Sequence, residues 1–195
     1  MFLSIVVLFV LFFISLTVHE FGHAWMAYKK GDPTAKYSGR LTLNPLAHID
    51  PLGTVLLPLM LILSGSQIVF GWAKPVPINY WMLRNPKKDM IWIGLAGPGA
   101  NIAFAVILGL VLRVLPFPLL GNLILLNIVL AIFNLVPIPP LDGSKVLLGL
   151  LPPPYDYKYM RIEPWGPFIL VIFLIIPGFR TLLLHLAFSL YKIIV

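Results

Sequence analysis

The amino-acid sequence predicts an all-α polytopic membrane protein, built as a bundle of transmembrane helices. Of its 195 residues, 59% are hydrophobic and only 11% are charged, whereas soluble domains average about 25% charged residues. The mean hydropathy is +0.96. Several apolar runs also approach the roughly 20 residues that a helix needs to cross a bilayer. The clearest of these runs occupy residues 1–28, 90–112, 119–136 and 165–195.

The first apolar run is continuous from Met1 to Tyr28 and predicts a single helix. Lys29 and Lys30 follow it directly, and their charges mark the expected aqueous interface. This interface gives a reference point from which the depth of any polar residue in the first helix can be estimated.

The next run, 53–70, is shorter, and Pro58 and Gly65 interrupt it. Lysines occur on both sides of the run, at Lys36 and Lys74, and a lysine-rich loop is typical of the cytoplasmic side. We therefore expect this segment to be re-entrant, or to lie against the bundle, rather than to cross the membrane.

Short β-segments are predicted at the membrane edge, on either side of the re-entrant segment. Residues 36–44 and 72–80 contain alternating or β-branched residues together with prolines. If the two pair as strands, an unwound substrate segment could bind beside them by β-addition.

The second half of the chain predicts two crossing helices, at 90–112 and 119–136, followed by a proline-rich break. A short helix then resumes after Gly143 and runs to Leu151. The final run, 165–195, is expected to be two short crossing segments or one kinked helix, because "PG" at residues 177–178 interrupts it.

The charge pattern excludes nucleic acid as a partner, although the net charge is +7. The Lys and Arg residues lie in short segments between apolar runs, which is the distribution of a multi-pass protein in the cell membrane. We see no linker and no repeat, so residues 1–195 are predicted to form one domain. The chain has no cysteine, so any metal ion must be bound by His, Asp or Glu.

His19, Glu20 and His23 form the pattern His-Glu-x-x-His near the end of the first predicted helix. Residues four apart lie on one face of a helix, so the two imidazoles could bind one zinc ion while the glutamate acts on water. His19 lies ten residues before Lys29, about 15 Å along a helix. Ionisable side chains are costly at such a depth in a membrane and indicate function.

A catalytic zinc usually has three protein ligands and one open position. Asp142 is the best candidate for the third ligand, because it follows a proline-rich interruption of helical structure after the 119–136 helix. Non-helical backbone is tolerated at membrane depth only where it is buried in protein or lines a cavity. The short helix that follows places Asp142 at a depth close to that of His19. His48 is the runner-up as a ligand, although its sequence favours a role in supporting the site or ordering its loop.

These motifs resemble the site-2 protease family of intramembrane zinc metalloproteases. The sequences that carry the resemblance are "HEFGH" at 19–23, "NPLAHIDPLGT" at 44–54, "GWAKPVP" at 71–77, "AGPGAN" at 96–101 and "FNLVPIPPLDG" at 133–143. They cover most of the chain and are similar to the compact prokaryotic branch, because 195 residues leave no room for a PDZ or CBS domain.

The resemblance implies one zinc ion per chain, with His19, His23 and Asp142 as ligands and Glu20 as the general base. It also implies a polar role for two asparagines, Asn101 and Asn134, which would bind the substrate backbone or order the site. The substrate would be a membrane-spanning protein, cut within or near its transmembrane segment, with the active site toward the cytoplasmic side. Two other functions are compatible with the same residues: an ion transporter or channel, and a non-catalytic membrane scaffold of the same fold.

Overall fold

The computed structural model describes residues 2–64 and 74–195. Helices α1 to α9 of the described residues are Phe2–Lys29, Thr34–Tyr37, Leu57–Leu63, Pro86–Val114, Pro118–Asn134, Asp142–Leu150, Tyr155–Met160, Gly166–Ile175 and Pro177–Ile194. Short 3₁₀ helices at Pro45–His48, Tyr80–Met82 and Glu163–Trp165, and a π-helix at Pro51–Leu56, connect them. The all-helical class predicted from the sequence is therefore confirmed for this part of the chain.

Within the part of the chain that the structure describes, two helices are long and apolar enough to cross a membrane: Val7–Lys29 of α1, and Pro86–Val114, which is α4. Helix α5 is apolar but has only 17 residues, about 25 Å of helix. The chain breaks before Pro177, as predicted, and the segment containing α8 meets α9 at 82°. This bent pair is either a broken span or a re-entrant loop, so the described residues contain two or three candidate spans.

Helix α4 is the centre of the bundle, because it packs against α1, α5 and α6. Its contact with α1 is close: a Cβ atom added at Gly22 would lie 2.5 Å from the carbonyl oxygen of Ala96. Branched and small side chains form the apolar core between α4, α5 and α9, among them Ala105, Ile124 and Ile128. The helix that carries His19 is thus held directly against the central helix.

The predicted short strands at 36–44 and 72–80 are wrong for the described residues, among which no strand occurs. The chain forms helix α2 up to Tyr37 instead, and the Asp32 carboxylate stabilises its start by accepting a hydrogen bond from the Thr34 N–H at 2.9 Å. A turn and bends follow as far as residue 43.

Residues 74–79 are extended, but three of their four N–H groups donate to partners elsewhere in the chain. The Lys74 N–H donates to the His48 carbonyl oxygen at 3.1 Å. The Val76 N–H donates to Glu20 at 3.0 Å, and the Asn79 N–H donates to Asp32 at 2.6 Å. The intervening prolines, at 75 and 77, have no N–H, so only the Ile78 N–H is left as a donor, which is too few for a strand ladder.

The re-entrant segment predicted at 53–70 is described only in its first part. It begins within the π-helix and continues through α3, which ends at Leu63. Seven residues of α-helix are too few to cross a bilayer. The remainder of the segment, from residue 65, lies outside the described residues, so its return stays a prediction.

Candidate metal centre

His19, His23 and Asp142 form a buried cluster between α1 and the start of α6. The Nε2 atoms of the two histidines are 3.1 Å apart, and each lies within 3.0 Å of the Asp142 Oδ2. Each residue is only 4% exposed. Two sequence segments separated by more than 100 residues therefore place three potential ligand atoms around one point, within 4.8 Å of one another.

The other ring nitrogen of each histidine fixes which atom is free to bind a metal. His19 Nδ1 lies 2.7 Å from the Oδ1 of Asn101, and His23 Nδ1 lies 2.7 Å from the carbonyl oxygen of Ile93. Both partners are acceptors, so each Nδ1 carries the hydrogen. In a neutral imidazole each Nε2 then presents a lone pair, directed at the Asp142 carboxylate.

This arrangement fits a zinc ion. Three electron-pair donors about 3 Å apart repel one another unless a cation or protons lie between them. Tetrahedral zinc with bonds of about 2.0–2.1 Å would separate its ligand atoms by roughly 3.3 Å, which is within a few tenths of an ångström of the observed distances. Two histidines and one carboxylate also leave one coordination position open, as catalytic zinc sites do.

Gly97 on α4 gives the two imidazoles their space. A Cβ atom added at this position would collide with the Nε2 of His23 and would lie 2.8 Å from the Cε1 of His19. The glycine two residues later, Gly99, has no atom within 4 Å of the corresponding point. The two glycines of "AGPGAN" therefore have different roles, and only the first is required by the cluster.

A fully buried hydrogen-bond network orients His19 through its Nδ1 atom, on the side of the imidazole away from the cluster. Asn101 accepts from His19, and its amide nitrogen donates to the Ser15 carbonyl oxygen at 2.9 Å and to the Asn127 Oδ1 at 2.7 Å. The Asn127 amide donates to the Ser15 hydroxyl at 2.9 Å, and that hydroxyl donates to the carbonyl oxygen of Leu11. Three helices thus contribute to the orientation of one imidazole.

Sequence reasoning selected Asn101 but missed Asn127 and Ser15. A signal was present for both: Asn127 is an amide within an apolar run, and Ser15 lies one helical turn before His19. Polar side chains in membrane helices need hydrogen-bond partners, but the sequence did not show that these two were partners of each other.

Glu20 lies beside the cluster on α1 and is half-buried. Its Oε2 accepts a hydrogen bond from the Val76 N–H at 3.0 Å, and its charge acts on His19. The extended segment 74–79 therefore lies over the candidate general base and fixes one of its carboxylate oxygens. The other oxygen accepts no hydrogen bond from the described residues.

Lys145 binds the oxygen of Asp142 that faces away from the histidines. Its ammonium group lies 2.9 Å from Asp142 Oδ1. This contact leaves Oδ2 directed at the two imidazoles, so the carboxylate presents a single oxygen to the cluster.

The remaining candidates from the sequence lie outside the cluster. His48 is fully buried, and its Nε2 donates to the Thr42 carbonyl oxygen at 3.0 Å, while its Nδ1 has no hydrogen-bond partner among the described residues. The Asn134 amide donates to the Leu130 carbonyl oxygen of its own helix at 2.9 Å. Of the two alternatives for a third ligand, the structure brings Asp142 to the histidines.

Comparison with known proteins identifies zinc metalloproteases as relatives, in agreement with a metal site at this cluster. The model of Peptidase family M50 matches residues 7–118. The chain is 37% identical to "Putative zinc metalloprotease YwhC" of Bacillus subtilis, over 84% of this chain and 78% of that protein. It is 33% identical to "Putative zinc metalloprotease Rip2" of Mycolicibacterium smegmatis, over 89% and 68% respectively.

A more distant relative is "Zinc metalloprotease MJ0392" of Methanocaldococcus jannaschii. It is 31% identical over 77% of this chain and only 36% of its own length. No solved structure matches the chain significantly.

Proposed function

The chain belongs to peptidase family M50, the site-2 protease family of intramembrane zinc metalloproteases, and from this premise we propose how its residues divide the reaction. His19, His23 and Asp142 hold one zinc ion, and Glu20 is the general base. The substrate is a membrane-spanning protein, cut within or near its transmembrane segment. The observation that supports this division is the buried convergence of the three ligand atoms.

Glu20 is placed to move the proton that peptide hydrolysis requires. When bound, zinc supplies Lewis-acid polarisation of water and of the scissile carbonyl group. The free oxygen of the Glu20 carboxylate takes a proton from the attacking water and passes it to the leaving amine. The Val76 N–H holds the other carboxylate oxygen, so the free oxygen keeps a fixed direction.

Asn101 has an orienting role in this proposal rather than contact with substrate. It is fully buried, and its carbonyl oxygen and amide group bind His19, Ser15 and Asn127. Second-shell acceptors of this kind fix the tautomer and direction of a metal-binding imidazole. Asn134 is half-buried and binds only its own helix within the described chain, so it remains the proposed substrate-binding asparagine.

The active site is proposed to face the cytoplasmic side of the cell membrane. Lysines at the end of α1 and in α2 lie over aromatic rings of α1, with Lys29 5.7 Å from the Trp25 ring centre and Lys36 4.8 Å from that of Tyr28. Such pairs are typical of a membrane interface. In this cysteine-free chain, Lys36→Cys and Lys74→Cys should be labelled from the same side, whereas labelling from opposite sides would contradict this topology.

The cleavage reaction can be tested with protein in proteoliposomes and synthetic single-span peptides. A substrate helix must open before its carbonyl groups can be reached, so peptides with a central Gly, Pro or Asn should be cut faster than an all-Leu peptide. Removal of zinc with a chelator should abolish cleavage, and added zinc should restore it. Cleavage that persists in metal-free protein would contradict the proposal.

A further inference from the structure

A cavity of about 380 Å³ lies directly beside the metal cluster, between α4, α6, α7 and the loop before α6. Its wall includes residues on both sides of the proposed ligand Asp142, namely Pro139 and Pro140 before it and Ser144 and Lys145 after it. The Lys145 ammonium binds the Asp142 carboxylate at 2.9 Å. The Lys145 side chain therefore contacts both the cavity and the proposed metal ligand Asp142.

The rest of the wall offers mainly carbon surface. Tyr80 and Met90 line the cavity on one side, and Leu148, Tyr159 and Met160 line it from α6 and α7. Methionine and tyrosine side chains adapt to the shape of an apolar occupant. The volume is at the lower end of the range of about 300–1,000 Å³ for ligand pockets, which suits one large side chain and its backbone.

Three polar groups of this wall already have partners, while the exposed Glu163 carboxylate at its rim has none among the described residues. The Ser144 hydroxyl donates to the Leu141 carbonyl oxygen at 2.6 Å, and the Tyr159 hydroxyl donates to the Pro137 carbonyl oxygen at 3.0 Å. Lys145 is committed to Asp142. A polar occupant would consequently gain little from these groups and would lose its hydration on entering.

We propose that this cavity is the subsite for a large apolar side chain, of the size of Leu, Met or Phe, on the substrate residue next to the scissile bond. The inference rests on the proposed function, because it names the side chain that the same active site selects. Burial of such a side chain would hold the opened substrate segment beside the metal cluster, where its peptide carbonyl has to be placed.

The test uses zinc-loaded protein in proteoliposomes and single-span peptides that differ at one residue on either side of the cut. That residue is Ala, Leu, Met, Phe, Arg or Glu in turn. Large apolar residues at one of the two positions should raise kcat/KM over Ala by about 10- to 200-fold, the range expected when an apolar pocket is filled.

Leu148→Trp fills the cavity from its α6 wall, and we expect it to reduce the Leu-to-Ala preference at that position at least tenfold. Met160→Trp fills it from the α7 side, where Met160 is 48% exposed, and serves if the first variant does not fold. The matched control is Leu150→Trp, because Leu150 is on the same helix, is 64% exposed and does not line the cavity. The control should keep the wild-type preference.

The possible results distinguish failure of the proposed subsite from failure of the proposed function. Equal side-chain preference in the cavity-filling variants and the Leu150→Trp control would overturn the subsite. A wild-type preference for Arg would also overturn it, and would assign specificity to the exposed carboxylate of Glu163 at the same cavity. If zinc-loaded wild type cuts none of the peptides, the proposed function itself fails and the subsite with it.

Discussion

Replacement of Asn101 by leucine should weaken zinc binding without removing any metal ligand. Asn101 accepts the hydrogen bond from His19 Nδ1 at 2.7 Å, in a position with no exposure to solvent. Leucine has a similar size but no acceptor. The Nδ1–H would then be buried without its partner, and the imidazole would lose the contact that fixes its tautomer and direction.

The size of the effect follows from this single lost contact. Removal of a second-shell partner of a metal-binding histidine typically costs 10- to 100-fold in metal affinity, which corresponds to about 1.4–2.7 kcal/mol. The protein should also become less stable, because the Ser15 carbonyl oxygen and the Asn127 Oδ1 lose the donor that Asn101 provides. Each buried group left without a partner costs about 1–3 kcal/mol.

Competition with a chelator of known affinity, in detergent-purified protein, measures the zinc dissociation constant directly. Asn134→Leu is the matched control, because the Asn134 amide binds only the Leu130 carbonyl oxygen of its own helix among the described residues. The control should bind zinc like the wild type. Asn101→Leu with an affinity within about twofold of wild type, in folded protein, would refute the assigned role of the network.

Three further changes test other parts of the site. Glu20→Gln should keep one zinc per chain but reduce cleavage by at least about 100-fold, because general-base catalysis contributes that much; full cleavage by this variant would remove Glu20 from the mechanism. Gly97→Ala should lower zinc content, because the new methyl group collides with His23, whereas Gly99→Ala, with no atom nearby, should not. Equal zinc content in the two alanine variants would contradict the described packing. Val76→Pro removes the N–H that holds Glu20 and should lower kcat with little change in zinc content, whereas Val76→Ala keeps the N–H and should not.

The helices were predictable because their signals are local. Long apolar runs gave α1 and α4 at nearly their observed bounds, and the "PG" pair located the break before α9. The start of α6 was predicted within two residues, because the prolines before Asp142 exclude a helix and the residues after Gly143 permit one. The pairing of His19 and His23 followed from helix periodicity alone.

The strands predicted at the membrane edge were wrong, because the structure of these segments depends on residues that are distant in the sequence. Residues 74–79 have the composition of a strand, but three of their four N–H groups bind the carboxylates of Asp32 and Glu20 and the backbone of His48. Nothing within the segment itself shows that these acceptors are close. The same limit applies to Ser15 and Asn127, whose hydrogen bond joins two helices.

The competing functions considered from the sequence are decided by the family as well as by the site. Membership of peptidase family M50 identifies a zinc metalloprotease rather than an ion transporter or a scaffold. The geometry favours Asp142 over His48 as the proposed third ligand, since Asp142 contacts both histidines, while His48 donates to the backbone of its own loop.

The most direct test of this account is the zinc content per chain of purified wild type beside Asp142→Ala. We predict about one zinc ion in the wild type and a large loss in the variant, because Asp142 supplies one of three ligand atoms. Asp156→Ala is the matched control, because Asp156 pairs with Lys87 outside the cluster, and it should retain the zinc. Full zinc content in folded Asp142→Ala protein would contradict the claim that the two distant motifs form one metal site.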